Sequence, residues 1–365
     1  MFLDKIVNTQ SEIAFSIDYL KKSELPLVLY GGSIAAELAL KLLLHNNIAI
    51  SHVVVDEKYF ISNSFFHNHM IERINDVLDL YPKINIIVAH GNYQADIARL
   101  SQNPIVAYCC FFDMTSLEFD FGDYYDTIQK HASEFEKLYL QLADEHSREL
   151  MGAFINAKIS GNLGLLVNLN VNGEQQYFPE FLKLSDDEVF VDCGAFDGDT
   201  IISFINKTKG KYSKIYAFEP DKNNIEKLFK NTSLFNNIEI IEKGCFSCKD
   251  TLYFHDGEGI SSSISNQGNV IIEVDAIYNV VSGKVTFIKI DIEGSELQAL
   301  KGGQRTIRKN LPVLAVSVYH KPEDLFSLPQ YIYELSDSYK FYLRHYGLWS
   351  SELVLYAISN KQLNL

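Results

Sequence analysis

The run Val191-Asp192-Cys193-Gly194-Ala195-Phe196-Asp197-Gly198-Asp199-Thr200 constrains this chain more than any other stretch. Glu188-Val189-Phe190-Val191 reads as a short strand entering a sheet. The two glycines let the backbone turn sharply and come close to a ligand, where a Cβ would be in the way. Thr200 to Ile205 then takes helical spacing, so the turn opens onto a helix N-terminus whose unpaired N–H groups point outward. Strand, glycine turn and helix together describe a cradle for a nucleotide-type cofactor.

Alternating strands and helices surround this cradle. On its C-terminal side, Lys214–Phe218, Ile238–Ile241, Val285–Ile290 and Pro312–Tyr319 read as strands, with an added strand at Thr251–Phe254. Helices are expected over 221–230, 296–308 and 325–335, and closing strands at Phe341–Leu343 and Leu353–Tyr356. That order predicts a parallel, doubly wound α/β sheet with an antiparallel edge. On the N-terminal side, strands at 25–30, 52–55, 84–89 and 105–110 and helices at 34–46 and 94–100 predict a smaller Rossmann-like α/β domain over 1–120. A helical linker and hairpin are expected over 121–180, with Asn172-Gly173 as the hairpin turn. Residues 181–365 form the main domain.

A length of 365 residues favours two domains over one core. With 32 Lys and Arg against 47 Asp and Glu, the net charge of −15 offers no electrostatic footprint for nucleic acid or an anionic membrane. No signal peptide or run of 18 apolar residues is evident, so a cytoplasmic protein without a membrane span is expected. The five cysteines fit free thiols in a reducing compartment. Cys245-x-x-Cys248 lacks the second pair that a zinc or redox motif needs.

Two glycine turns compete for a cofactor. Gly31-Gly32-Ser33, followed by Ala36 and by Asp56 after the next strand, resembles a dinucleotide fingerprint, but Ser33 stands where a glycine should admit the pyrophosphate. An NAD-dependent oxidoreductase built on this βαβ unit is one reading, and a non-catalytic binding protein is another. At the second turn, Asp192, Asp197 and Asp199 surround the glycines. A pyrophosphate would be repelled there, whereas a cofactor bearing ammonium and sulfonium charges, S-adenosyl-L-methionine, would be favoured. Glu219, at the tip of the next strand, can accept hydrogen bonds from both hydroxyls of a ribose.

Several pieces of residues 175–358 resemble the FkbM-type methyltransferases: Gln176-Tyr177-Phe178, Glu188 to Gly198, Phe218-Glu219-Pro220, Phe287-Ile288-Lys289-Ile290-Asp291-Ile292-Glu293-Gly294-Ser295-Glu296 and Leu300-Lys301-Gly302. The resemblance implies a seven-stranded, Rossmann-like class I methyltransferase domain. It also implies a cofactor seat at Asp192, Gly194, Ala195, Phe196, Asp197, Gly198, Thr200, Glu219, Pro220 and Gly244. The expected reaction is O-methylation of a small acceptor, by resemblance a sugar or glycoconjugate precursor, with homo-oligomerisation left open.

Methyl transfer to a hydroxyl calls for close positioning and a general base. Asp291, Glu293 and His320, at the tips of the fourth and fifth strands, are the candidates. Glu296, Arg344 and His345 are candidates for holding the acceptor. Glu293 and Glu296 have a second reading as caps of the following helix. Asp291, Glu293 and His320 suit a hard divalent ion, but their spacing does not demand one, so no metal is assigned. Gly257 to Ser263 reads as a polar loop beside the site.

Overall fold

The computed structural model describes residues 2–9, 11–91, 93–113, 121–255, 263–264, 270–347 and 349–360. The N-terminal strands are β1 (Leu27–Tyr30), β2 (His52–Val55), β3 (Phe65–Phe66), β4 (His69–Arg73), β5 (Ile84–Val88) and β6 (Val106–Phe111). They pair in the order β3-β4-β2-β1-β5-β6 and are parallel except for β3 against β4. The short β3–β4 hairpin carries no alternating apolar pattern and escaped the sequence reading. β1 and β5 are buried along their whole length, as continuous apolar runs covered on both faces should be.

The C-terminal sheet uses β7 (Val189–Cys193), β8 (Lys214–Phe218) and β9 (Ile238–Ile241). Next come β10 (Gly244–Cys245), β11 (Asp250–His255), β12 (Ser263–Ile264) and β13 (Val270–Asp275). The chain closes with β14 (Phe287–Ile290), β15 (Val313–Ser317), β16 (Tyr339–His345) and β17 (Leu353–Ser359). Seven of them form a sheet in the order β16-β17-β15-β14-β7-β8-β9, while β10-β13-β11-β12 form a separate four-stranded sheet. The expected strand near 251–254 is therefore real, but it belongs to the smaller sheet. The expected antiparallel edge is present. β17 runs antiparallel to both β15 and β16 and sits between them, so the edge strand β16 points the same way as the parallel strands.

The β7–β14–β15 centre is buried because Phe178, Phe190, Phe204 and Phe287 pack as one aromatic group beneath it, with ring centroids 4.6–5.8 Å apart. One contiguous apolar core reaches from Val28 and Val88 of the first sheet, through Phe135, Leu150 and Phe154, to Ile288 and Leu314 of the second.

The region between the sheets is helical: Phe121–Lys130, Ala132–Gln141 and Glu145–Ser160. Asp144 caps the third helix by accepting from Ser147 N at 2.8 Å, and Gly161, at φ +81°, ends it. The expected hairpin at Asn172-Gly173 is absent. Asn172 instead accepts from Glu174 N and caps a short 3-10 turn, Gly173–Gln175. An asparagine side chain that bonds its own backbone competes with the hairpin turn, and here it wins.

Candidate active site

β7 delivers the chain to the cradle, and the backbone there needs both glycines. Gly194 has φ +85°, and a Cβ on it would stand 2.0 Å from the Asp291 carbonyl oxygen. Gly198 has φ +91° and packs against Leu228 and Thr232. Gly194 N and Ala195 N both donate to the Phe218 carbonyl, at 3.1 and 2.9 Å, which ties the turn to the tip of β8. The helix Asp199–Lys207 starts directly after Gly198. Asp197 is half-buried and accepts from Asp199 N, while Asp199 is exposed and accepts from Thr200 N.

Glu219 sits beside this turn and is 6% exposed. Its Oε2 accepts from Phe196 N at 2.9 Å and its Oε1 from Asp221 N at 3.0 Å. Burial raises its pKa, opposed by these two backbone donors. Asn224 Nδ2 also donates to Oε1 at 3.5 Å, so the lone pair left for a further donor is on Oε2. Pro220 follows, and Gly244, now the first residue of β10, lies beside it; a Cβ on Gly244 would be 3.8 Å from Pro220 Cγ. Phe196 is 52% exposed over the seat, at φ +46°. An exposed aromatic in a left-handed backbone, held by Glu219, is a strained position of the kind that clusters at ligand sites.

Asp192 is fully buried, with Lys289 Nζ 3.1 Å from its Oδ1. Lys289, on the neighbouring β14, also donates to the Gly194 carbonyl at 2.5 Å and lies 5.2 Å from the Tyr177 ring centroid. Burial lifts the Asp192 carboxyl to about 6 against the pull of Lys289. Asp192 and Asp291 in turn hold the Lys289 amine protonated despite its burial. Lys289 thus supports the turn through its carbonyl. Its place in the Lys289-Ile290-Asp291 run was visible in the sequence, but its direction was not.

Beside the cradle, β14 ends in the tight turn Asp291-Ile292-Glu293-Gly294, with Glu293 at φ +54° and Gly294 at φ +90°. β15 ends at Ser317, and Tyr319-His320 follow. His320 Nδ1 is 3.1 Å from Glu296 Oε1, and its Nε2 is 3.3 Å from Glu293 Oε2 and 3.6 Å from Asp291 Oδ1. Burial works against the imidazolium, but Glu293, Glu296 and Asp291 outweigh it and raise the His320 pKa well above its usual value. Asp291 Oδ2 accepts from Tyr177 OH at 2.6 Å. Tyr177, from the Gln176-Tyr177-Phe178 motif, thereby orients Asp291. Glu296 is fully buried, and its Oε1 accepts from Ile292 N and Gly294 N. Its capping role thus falls on the turn before the helix Glu296–Asn310, and the same carboxylate also reaches His320.

Arg344 and His345, expected to hold the acceptor, have partners within the fold. Arg344 pairs with Asp144 at 2.6 Å and donates to Ser147 Oγ and the Leu343 carbonyl, which ties β16 to the helix Glu145–Ser160. His345 is fully buried between Asn170 Oδ1 and the Trp349 carbonyl. Both side chains are committed to packing. The loop at 257–262 lies outside the described residues. Cys245 packs with its sulfur 2.7 Å from that of Cys193, whereas Cys248 is exposed, so the two ends of the CxxC run point to different environments.

The other glycine turn has a packing explanation. A Cβ on Gly31 would meet the Ala89 carbonyl oxygen at 2.2 Å, so β5 demands glycine there without any ligand. Asp56 accepts from Tyr30 OH at 2.6 Å. Both marks of the dinucleotide fingerprint are therefore used within the fold.

No curated protein matches the chain in sequence. Among solved structures, a methyltransferase FkbM from Methylobacillus flagellatus KT is similar over 97% of this chain and 95% of its own, at 23% identity and a TM-score of 0.77. Fibrillarin from Aeropyrum pernix matches at 13% identity over 51% of this chain and 76% of its own, with a TM-score of 0.34. A methyltransferase from Streptococcus mutans matches at 15% identity over 49% and 93%, with a TM-score of 0.33. Among the described residues, no helix is long and apolar enough to cross a membrane. The model of the methyltransferase FkbM domain matches residues 192–346, which span the Gly194–Gly198 cradle, Glu219 and the Asp291–His320 cluster. Residues 192–346 thus resemble a methyltransferase FkbM domain, and methyltransferase is the activity that this match supports.

Proposed function

We propose that the chain is a cytoplasmic S-adenosyl-L-methionine-dependent O-methyltransferase acting on a hydroxyl of a small acceptor, of the sugar or glycoconjugate-precursor class. The observation that carries the cofactor reading is Glu219, buried beside the Gly194–Gly198 turn at the tip of β8, with a lone pair left on Oε2. That placement suits a hydroxyl of a ribose. When bound, the cofactor supplies a methyl group on a sulfonium, and the acceptor hydroxyl becomes an ether.

The residues of the chain have distinct tasks in this reading. Gly194 and Gly198 bring backbone against the ligand, and the start of the helix Asp199–Lys207 borders the seat. Glu219 fixes the nucleoside. Asp291, Glu293 and His320 face the acceptor side, where the hydroxyl proton must leave. Tyr177 holds Asp291 in place from behind. The sugar-type acceptor rests on the family resemblance alone.

Calorimetric titration with S-adenosylhomocysteine tests the reading. Wild type should bind, and Glu219→Ala should lose about 10- to 100-fold in affinity, as expected when a hydrogen bond to a charged group is removed. Absence of binding by wild type would overturn it. Mass spectrometry of candidate sugars for a methyl-sized gain then identifies the acceptor.

A further inference from the structure

We propose that Asp291, Glu296 and His320 form a binding site for one divalent cation of the Mg²⁺ or Mn²⁺ class. One ligand atom from each side chain lies within 4.8 Å of the others. Donor atoms around an octahedral ion with bonds of about 2.1 Å are separated by about 3 Å when adjacent and about 4.2 Å when opposite, so the three side chains would draw in around the ion.

Three observations point to a ligand here. First, buried polar atoms of these three side chains carry no aligned hydrogen bond: Asp291 Oδ1, Glu296 Oε2 and both ring nitrogens of His320. Buried polar atoms are almost always paired, and Glu296 is fully buried while the His320 side chain is 9% exposed. Second, the charges do not balance. Asp291, Glu293 and Glu296 face a single imidazole, and the amine of Lys321 is turned to the Gly294 carbonyl. A dication makes up that deficit. Third, the supports are built. Tyr177 orients Asp291, and the backbone amides of Ile292 and Gly294 hold Glu296 by its other oxygen. Such fixed outer partners are what metal ligands need.

Two carboxylate oxygens and one imidazole favour a hard, octahedral ion and leave positions open to oxygen ligands from water or an acceptor. Cation binding itself does not depend on the methyl-transfer reading. Its consequence, an acceptor oxygen held on the ion, does rest on that reading.

The test uses the full chain stripped with a chelator and titrated with Mn²⁺, with free Mn²⁺ followed by electron paramagnetic resonance and Mg²⁺ added as competitor. Wild type should take up one Mn²⁺ per chain. Glu296→Gln and His320→Ala should each weaken it by at least about tenfold. If the buried Glu296 variant does not fold, Asp291→Asn, at the more open ligand, reads the same site. No Mn²⁺ uptake by wild type at about 1 mM, or folded variants that bind like wild type, would overturn the site. S-adenosylhomocysteine binding, measured on the same stripped samples, separates the two readings. Binding of the nucleoside without Mn²⁺ uptake removes the cation site alone, and Mn²⁺ uptake without the nucleoside removes the cofactor reading alone.

Discussion

Lys289 Nζ lies 3.1 Å from Asp192 Oδ1, and both side chains are buried, with the same amine bonded to the Gly194 carbonyl. Removing one member of a buried pair strands the other charge, which typically costs about 3–5 kcal/mol. Lys289→Met should lower stability by that order in urea denaturation. The double variant Lys289→Met with Asp192→Asn should recover part of the loss, because no carboxylate is then left unpaired. A double variant no more stable than Lys289→Met would contradict this account of the pair.

Gly194 and Gly210 give a controlled comparison. Both have positive φ, +85° and +75°, but a Cβ on Gly194 meets the Asp291 carbonyl oxygen at 2.0 Å, whereas no described atom lies within 4 Å of one on Gly210. Gly210→Ala should cost about 1–2 kcal/mol from the left-handed backbone alone. Gly194→Ala should cost considerably more and should abolish S-adenosylhomocysteine binding. Thermal melts and calorimetry on the two variants check the contrast.

Arg344 serves the fold. Its guanidinium joins Asp144, Ser147 and the Leu343 carbonyl. Arg344→Met should reduce stability by about 1–3 kcal/mol, the cost of a broken, partly buried charged hydrogen-bond set. It should leave S-adenosylhomocysteine affinity within about twofold of wild type, since the residue does not touch the cradle. A large affinity loss at unchanged stability would return Arg344 to the ligand site.

His345 sets a pH dependence of stability. Its burial, against weaker support from backbone contacts, lowers its pKa to about 4 from its usual 6.5. Between these values the unfolded chain binds a proton that the folded chain refuses. Stability from this residue is therefore complete above pH 6.5 and falls as pH drops toward 4, by up to about 3 kcal/mol. His345→Gln should flatten that part of the stability-versus-pH curve, as read by denaturant unfolding at several pH values. An unchanged slope would show that other groups control acid lability.

Much of the architecture was legible in the sequence because it rests on local patterns. β8 and β9 were placed at their observed bounds, and the helix beginning at Glu296 was found at its first residue. These segments are either continuous apolar runs or strongly amphipathic, and no distant partner competes with them. Asn172-Gly173 failed because the Asn172 side chain had a local alternative, the bond to Glu174 N. The β3–β4 hairpin went unseen because its residues are only half-buried and do not alternate.

By itself, the sequence determined the alternation of strand and helix, the glycine turn after β7 and the carboxylates at the tips of β8 and β14. Those properties are encoded within about ten residues of each site. Only the tertiary structure decided which charges meet which partners. Asp192 faces Lys289, Arg344 faces Asp144, and His345 faces Asn170, all across separations that no spacing rule reaches. The same distant packing brought Tyr177 to Asp291 and set His320 among three carboxylates. A side chain's chemistry is written in its type, but its partner is chosen by the burial that folding imposes.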